Sequence, residues 1–256
     1  MRTTIIQTNL HWENPVANRA MFAEKLAPLA GNTELVVLPE MFTTGFSMNA
    51  ATLAEPMNGP THQWMIAQAT YLNAAVTGSF ICREKNHYFN RMLFVRPDGQ
   101  TDWYDKRHLF GLAKEHETYT QGQERRIVEW QGWKICLLVC YDLRFPVWSR
   151  NGAAGQFDLL IYVANWPARR GHHWRALLPA RAIENQCYVA AVNITGTDGL
   201  GYEYNGDSGI LDFSGQYFCQ ISGQPGVFTT KLSLDDLQQF RRQLPFLEDA
   251  DVFHLD

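Results

Sequence analysis

Two segments near the middle of the chain, WKICLLVC at residues 133–140 and DLLIYVAN at 158–165, contain unbroken apolar runs. A strand with one face in water alternates apolar and polar residues, because successive side chains point to opposite faces. An unbroken run is therefore typical of a strand covered on both faces, as in parallel or mixed sheets with helices outside. These segments predict the central strands of an α/β protein.

Strands and amphipathic helices are predicted to alternate along the rest of the chain. The apolar spacing from Met21 to Leu29 predicts a helix over 17–31 that Gly31 ends. A Pro-Asp-Gly turn inside the segment 87–106 predicts a β-hairpin. Further strands are predicted at 3–10, 34–40, 74–80, 187–195 and 226–233, a hairpin at 209–216, and helices at 61–73, 172–186 and 234–244.

Three segments have sequence features that predict their local structure. Pro179 is expected to interrupt or kink the helix at 172–186. The Gly-Asp-Ser-Gly sequence at 206–209 is expected to be a loop, and the tail at 245–256 an extended arm. The order of elements, βαβα followed by hairpins and further βα units, favours two packed sheets with helices outside.

The chain of 256 residues has no low-complexity linker and no fixed-period repeat, so we expect a single domain over 1–256. Its net charge of −4 does not suggest a nucleic-acid or anionic-membrane surface. No apolar run approaches the roughly 18 residues that span a bilayer, and the N-terminal segment is too weakly apolar for a signal peptide. The five cysteines are odd in number and lack paired spacing, so we expect free thiols in a reducing cytoplasm.

Polar residues follow several of the predicted strands. Glu40 comes after LVVLP, Cys140 after ICLLV, and Asn165 after LLIYVA. Lys106 follows the returning strand of the predicted hairpin in the same way. Because catalytic side chains in α/β folds collect at the carboxyl ends of strands, these positions are the candidate site.

A cysteine, a glutamate and a lysine together suit acyl transfer. A thiol attacks as thiolate and needs a base or a cation nearby. A buried carboxylate such as Glu40 can take that proton and pass it to a leaving amine. The ammonium of Lys106 and the backbone N–H of Tyr141, the residue after the nucleophile, can stabilise the oxyanion.

Each residue also has a structural alternative. Cys140 could be a small hydrophobe that ends a buried strand, since free cysteine is among the most buried residue types. Glu40 could lie in a loop, and Lys106 could be solvated surface. A carboxylate between VVLP and MF would lose several kcal/mol on burial without a partner, which favours a functional role for Glu40.

An ordered set of motifs resembles the carbon–nitrogen hydrolase (nitrilase) superfamily. The motifs, which together span roughly residues 34–216, are VVLPEMFTTGFSM, YDKRHLF, LLVCYDLRFPVWSR, ANWP, RAIENQCYVAAVN and GDSGILDFSGQ. The resemblance implies a four-layer αββα sandwich of two mixed sheets flanked by helices. It also implies a homodimer, with no cofactor and no metal.

The resemblance implies a catalytic role for residues of three matching motifs. Glu40 is then the general base, Lys106 the oxyanion-stabilising lysine, and Cys140 the nucleophile that forms a thioester. Many members use a second glutamate, which matches Glu115 here, with Glu117 close enough to be the alternative.

Within the superfamily the chain is most similar to the bacterial omega-amidase branch. Where many relatives have Glu after the proline of RFP, this chain has Val147. The branch hydrolyses the terminal amide of 2-oxoglutaramate and 2-oxosuccinamate, small anions that need a cation in the pocket. Candidates for the anionic end are Arg144, Arg169, Arg170 and His172, and candidates for the walls are Phe42, Phe46, Tyr141 and Trp166. Asn165 is a further candidate for substrate binding.

Other functions stay open from the sequence. A general aliphatic amidase, a nitrilase or an N-carbamoyl amide hydrolase would use the same motifs. A non-catalytic binding module on this fold is the alternative of another class. Arg144 could be scaffold, paired with Asp142 or another carboxylate. A Cys–His pair with His108 or His172 has no supporting sequence context, and no histidine spacing fits a zinc site.

Overall fold

The computed structural model of the protein describes residues 1–152 and 155–251. Its strands are β1 Arg2–Gln7, β2 Leu35–Val37, β3 Glu55–Pro56, β4 Ala75–Glu84, β5 His87–Val95, β6 Thr101–Asp105, β7 Arg126–Trp130, β8 Trp133–Val139, β9 Leu159–Val163, β10 Tyr188–Val192, β11 Thr195–Thr197, β12 Glu203–Leu211, β13 Tyr217–Ser222 and β14 Gly226–Lys231. Its α-helices are α1 Pro15–Leu26, α2 Ala50–Leu53, α3 Pro60–Leu72, α4 Glu115–Thr118, α5 Gly171–Asn185 and α6 Leu234–Gln243.

The strands form two mixed sheets. The first has the order β14-β1-β2-β4-β5-β6, with β3 beside β4, and the second has the order β11-β12-β10-β9-β8-β7, with β13 beside β12. The pairs β1–β2 and β2–β4 are parallel, as are β8–β9 and β9–β10. The hairpin predicted over 87–106 is the antiparallel pair β5–β6.

Alternation along β2 separates two layers of core. Leu35 and Val37 pack into the core between the sheets, together with residues of β8, β9 and β10. Val36 points to the opposite face, where it packs with Phe22 of α1 and Met65 of α3. On the second sheet, α5 packs against β10 and β12. The predicted αββα sandwich is confirmed.

Two local features differ from the structure that the sequence predicts. The Gly-Asp-Ser-Gly sequence is not a loop, because it lies inside β12. Gly206 and Asp207 have φ of +72° and +55°, and the register with β13 shifts between Gly206 and Ser208, so the turn-like residues form a bulge. The helix α5 runs through Pro179 without interruption.

Residues 246–249 form a turn, and residues 252–256 of the predicted arm lie outside the described residues. Among the helices of the described residues, none is long and apolar enough to cross a membrane. All five cysteines are free thiols.

The strand directions bring four segments to one region. Because β5 is antiparallel to both neighbours, β6 runs in the same direction as β4 and β2. The segments that follow β2 and β6 therefore leave the same edge of the first sheet, and they carry Glu40 and Lys106. The segments after the parallel strands β8 and β9 carry Cys140 and Asn165.

Candidate active site

A buried ammonium lies between two buried carboxylates. Lys106 Nζ is 3.0 Å from Glu40 Oε1 and 3.0 Å from each carboxylate oxygen of Glu115. All three side chains have 0% exposure. Burying ions costs several kcal/mol each unless partners offset the loss of water, and here each ion has an opposite charge in contact.

The electrostatics of this cluster keep the lysine charged. Burial by itself lowers the pKa of Lys106, but the charges of Glu115 and Glu40 outweigh it and the net pKa is raised. Burial raises the pKa of Glu115, although the charge of Lys106 acts in the opposite direction. The cluster thus holds a permanent cation beside two carboxylates, one of which takes up a proton more readily than a solvated glutamate.

Two asparagines hold Glu40 in place. Asn90 Nδ2 donates to Glu40 Oε1 at 2.8 Å, and the backbone N–H of Asn165 donates to Glu40 Oε2 at 2.7 Å. Asn165 Nδ2 also donates to the backbone carbonyl of Glu40 at 2.7 Å. The carboxylate therefore has a fixed orientation before any substrate arrives.

Cys140 occupies a sharp turn at the end of β8. Its φ is +45°, in the left-handed region that a side chain rarely adopts, and it begins a 3₁₀ turn over Cys140–Arg144. This turn takes Cys140 out of the line of the strand, and it borders a cavity. Burial, followed by the negative charge of Glu40, raises the pKa of the Cys140 thiol well above its ordinary value, so the resting thiol is protonated.

Asp142 connects the turn of Cys140 to the loop of Lys106. Its carboxylate accepts hydrogen bonds from the N–H of Val139 at 2.9 Å and from the Tyr104 hydroxyl at 2.8 Å. It also accepts from the backbone N–H of His108 at 3.1 Å and lies 2.7 Å from His108 Nδ1. Because Lys106 lies between Tyr104 and His108, these bonds fix its position relative to the cysteine.

The cavity in front of Cys140 is small and mainly apolar. Its volume is about 210 Å³. Its apolar and aromatic lining residues are Phe46, Met48, Phe110, Leu112, Ala113, Tyr141, Trp166, Pro167, Leu200, Tyr202 and Tyr204. Its polar and charged lining residues, besides Cys140, are Arg144, Asn165, Arg169, Arg170 and Asp198. A small organic molecule with one anionic group suits this lining.

The sequence matches one family model over nearly its whole length. Residues 3–242 match the model described as Carbon-nitrogen hydrolase. The chain belongs to the carbon–nitrogen hydrolase family. It is therefore an amidohydrolase-type enzyme, and the resemblance noted from the motifs is confirmed.

Relatives of this carbon–nitrogen hydrolase cover its full length. "Omega-amidase YafV" of Escherichia coli K12 is 44% identical over 100% of this chain and 98% of its own. "2-oxoglutaramate amidase" of Bacillus subtilis is 34% identical over 97% of this chain and 98% of its own. The crystal structure of XC1258 from Xanthomonas campestris, a CN-hydrolase superfamily protein with an arsenic adduct in the active site, has a TM-score of 0.98 at 48% identity, covering 100% of this chain and 99% of that chain.

The structure of this carbon–nitrogen hydrolase brings Glu40, Lys106 and Glu115 into direct contact, next to Cys140. Of the two candidates for the second glutamate, Glu115 is the buried one. Glu117 is exposed, and its carboxylate lies 3.5 Å from Lys114 instead.

The candidate substrate-binding residues divide into two groups. Phe46, Tyr141, Arg144, Asn165 and Trp166 all border the cavity. His172 is exposed, lies edge-to-face with His173 at 4.0 Å between ring centroids, and is absent from the described lining of the cavity.

The pairing of Arg144 with Asp142 that the sequence left open is not formed. Asp142 binds Val139, Tyr104 and His108 as described above, and Arg144 has no carboxylate within 4.0 Å among the described residues. Its guanidinium lies 4.6 Å from the ring centroid of Trp166, and its Nη2 is 3.0 Å from His173 Nδ1.

Several residues of the site were not found from the sequence. Asn90, which fixes Glu40, is a polar residue inside the apolar strand segment FNRMLFV, and this interruption was the available signal. Phe110 donates its backbone N–H to Glu115 at 2.5 Å and also borders the cavity. No local pattern distinguishes Phe110 or Tyr204 from the many other aromatic residues of the chain.

Proposed function

We propose that this enzyme is an omega-amidase that hydrolyses the terminal amide of 2-oxo dicarboxylic acid monoamides, 2-oxoglutaramate and 2-oxosuccinamate, to the 2-oxo acid and ammonia. The observation that carries the proposal is the buried Glu40–Lys106–Glu115 cluster beside Cys140 at a small cavity. The omega-amidase and 2-oxoglutaramate amidase names of the full-length relatives support the substrate class.

The proposed acylation step uses Glu40 as a base during attack. The raised pKa of the Cys140 thiol means that a preformed thiolate is scarce at neutral pH. Glu40 takes the thiol proton as the sulfur attacks the amide carbon, and the C–N bond breaks after the tetrahedral intermediate forms. Lys106 and the backbone N–H of Tyr141 stabilise the oxyanion. Glu40 passes its proton to the leaving ammonia, which leaves a thioester on Cys140.

In the proposed second step, water hydrolyses the thioester. Glu40 takes a proton from the water as the water oxygen attacks the thioester carbon. The C–S bond then breaks, Glu40 returns the proton to the sulfur of Cys140, and the 2-oxo acid leaves. Glu115 orients the ammonium of Lys106, because both of its carboxylate oxygens lie 3.0 Å from Nζ. Neither step uses a cofactor or a metal, so activity should survive dialysis against a chelator.

The substrate class is tested by an ammonia-release panel. The panel contains 2-oxoglutaramate, 2-oxosuccinamate, glutamine, asparagine, a simple aliphatic amide, an N-carbamoyl amino acid and a nitrile. We expect kcat/KM to be highest for the two 2-oxo acid amides. A preference for the simple amide, the nitrile or the N-carbamoyl compound would replace the omega-amidase proposal with the corresponding alternative.

A non-catalytic binding module is tested separately through the thiol. Iodoacetamide should label Cys140 in the native protein, because Glu40 can take the thiol proton as the sulfur attacks the reagent, and Cys140→Ala should carry no label at that position. Failure of native Cys140 to react, together with no ammonia from any substrate, would favour the binding module.

We also propose that the chain works as a single-domain homodimer in the cytoplasm. Five free thiols suit a reducing compartment. Ile183 of α5 and Phe246 beyond α6 are 55% and 60% exposed, which leaves apolar surface for a partner. Light scattering at micromolar concentration should give twice the mass of the chain, and the mass of one chain would contradict the dimer.

A further inference from the structure

The active-site cavity holds an excess of positive charge. Three guanidinium groups border it, those of Arg144, Arg169 and Arg170. Within the described part of the chain, none of the three has a carboxylate within 4.0 Å. Arg91 and Arg241, by contrast, each lie within 3.0 Å of an aspartate oxygen, as is usual for arginines that are largely removed from water.

The carboxylate that borders the cavity already has other partners. Asp198 Oδ1 accepts the backbone N–H groups of Leu200 at 2.9 Å and Tyr202 at 3.0 Å. Its Oδ2 accepts the Tyr204 hydroxyl at 2.8 Å. Asp198 thus stabilises its own loop, and it leaves the positive charges of the three arginines without a counter-ion from the cavity wall.

Two of the arginines are half-buried and held by aromatic rings. Arg144 lies over Trp166 at 4.6 Å, and Arg170 lies over Phe110 at 5.0 Å. The backbone carbonyl of Arg170 accepts the Trp166 indole N–H at 2.8 Å. This hydrogen bond links the ring that contacts Arg144 to the backbone of Arg170. Arg169 is exposed and lies over Tyr202 at 5.3 Å.

The two half-buried arginines differ in the donors they have free. Arg144 gives one N–H to His173 Nδ1, at 3.0 Å. The guanidinium of Arg170 makes no hydrogen bond within the described residues, so all five of its N–H donors are free for a ligand. Burial, followed by the charges of Arg169 and Arg144, lowers the pKa of Arg170.

We propose that Arg170, assisted by Arg144, binds the carboxylate of the substrate while Cys140 attacks its terminal amide. This assignment rests on the proposed function for the identity of the substrate. The planar guanidinium binds a carboxylate through paired N–H donors, and the apolar walls strengthen the attraction by excluding water. The pair would select an anionic monoamide over a neutral amide of the same length.

Two substrates of equal chain length measure the contribution of the substrate carboxylate to kcat/KM. Glutaramate carries a carboxylate at one end and an amide at the other, and pentanamide is the neutral amide of the same chain length. Arg170→Gln should lower kcat/KM for glutaramate roughly 10- to 100-fold and leave pentanamide within about threefold, because a lost hydrogen bond to a charged group has that magnitude. Arg170→Lys should recover part of the loss, since it restores the charge but not the planar fork.

Arg242→Gln is the matched control. It removes the same charge, but Arg242 is exposed on α6 and is absent from the described lining of the cavity. We expect less than about a threefold change for either substrate, since exposed charges contribute little. Equal losses in Arg242→Gln and Arg170→Gln, or an equal loss of Arg170→Gln on both substrates, would overturn the assignment.

Binding without turnover separates this inference from the proposed function. Isothermal calorimetry with glutaramate and Cys140→Ala should give a Kd that rises roughly 10- to 100-fold when Arg170→Gln is added. If wild type releases no ammonia from any amide but this difference in Kd is present, the omega-amidase proposal fails and the anion subsite stands. If ammonia is released but Kd does not depend on Arg170, the subsite alone is wrong.

Discussion

Lys106 is the shared partner of two carboxylates that have no contact with water, so replacing it should affect stability as well as rate. Lys106→Met keeps an unbranched side chain and removes the charge. Glu40 and Glu115, both 0% exposed, then lose their cation. Removing one partner of a buried ion pair costs about 3–5 kcal/mol. For a chain of this size we therefore expect Tm to fall by roughly 6–20 °C.

The loss should depend on pH in a defined direction. Burial already raises the pKa of Glu115, and the charge of Lys106 opposes that rise. Without the ammonium the folded-state pKa of Glu115 rises further above the unfolded value. The folded state then binds more protons than the unfolded state, so its stability falls as pH increases through that interval. The difference in Tm between wild type and Lys106→Met should be smaller at pH 5 than at pH 8.

Circular dichroism during thermal unfolding at both pH values measures these differences. The double variant Lys106→Met/Glu115→Gln is the control, because only Glu40 is then left without its cation. It should recover part of the lost Tm at pH 8. A Tm of Lys106→Met equal to that of wild type at both pH values would refute the reasoning. Ammonia release by the folded variant should fall roughly 10²–10³-fold, because an oxyanion donor is missing.

Three further predictions concern the groups around the cluster. Asp142→Asn should lower the free energy of unfolding by about 1.5–3 kcal/mol in guanidinium titrations, because a carboxylate acceptor of several hydrogen bonds is lost; unchanged stability would contradict its linking role. Asn165→Ala should lower kcat about 10-fold with KM nearly unchanged, since Glu40 loses an orienting contact; a change confined to KM would oppose this. The difference in thiolate absorbance at 240 nm between wild type and Cys140→Ser should stay near zero until pH exceeds about 9, because burial and Glu40 raise the thiol pKa; a thiolate signal at pH 7 would show a preformed ion pair.

Glu40 and Cys140 could be predicted because each follows an apolar run and interrupts it with a polar group, and Lys106 because it follows the returning strand of the predicted hairpin. Glu40 and Lys106 are 66 residues apart, and nothing in that spacing brings them together. Their contact arises because β2 and β6 run in the same direction in one sheet, with β4 and β5 between them. The pairing order of strands depends on the whole fold, and here the motif resemblance supplied what the spacing could not.

Other features could not be predicted, because they depend on which of several neighbouring groups forms a given contact. Arg144 has the aspartate Asp142 two residues before it, yet that carboxylate binds the loop of Lys106 instead. The bulge at Gly206 and Asp207 has the composition of a loop. It lies inside a strand all the same, and both residues adopt positive φ there. β7 was missed because charged residues flank and interrupt its short apolar segment.

We propose that Cys140, and no other thiol of the chain, cleaves the amide. Ammonia release from 2-oxoglutaramate by wild type, Cys140→Ala and Cys136→Ala tests it directly. Cys136 is the matched control, because it lies four residues earlier on β8 and is fully buried in the core. We predict activity in wild type and Cys136→Ala and none in folded Cys140→Ala. Ammonia released by Cys140→Ala at the wild-type rate would contradict the mechanism.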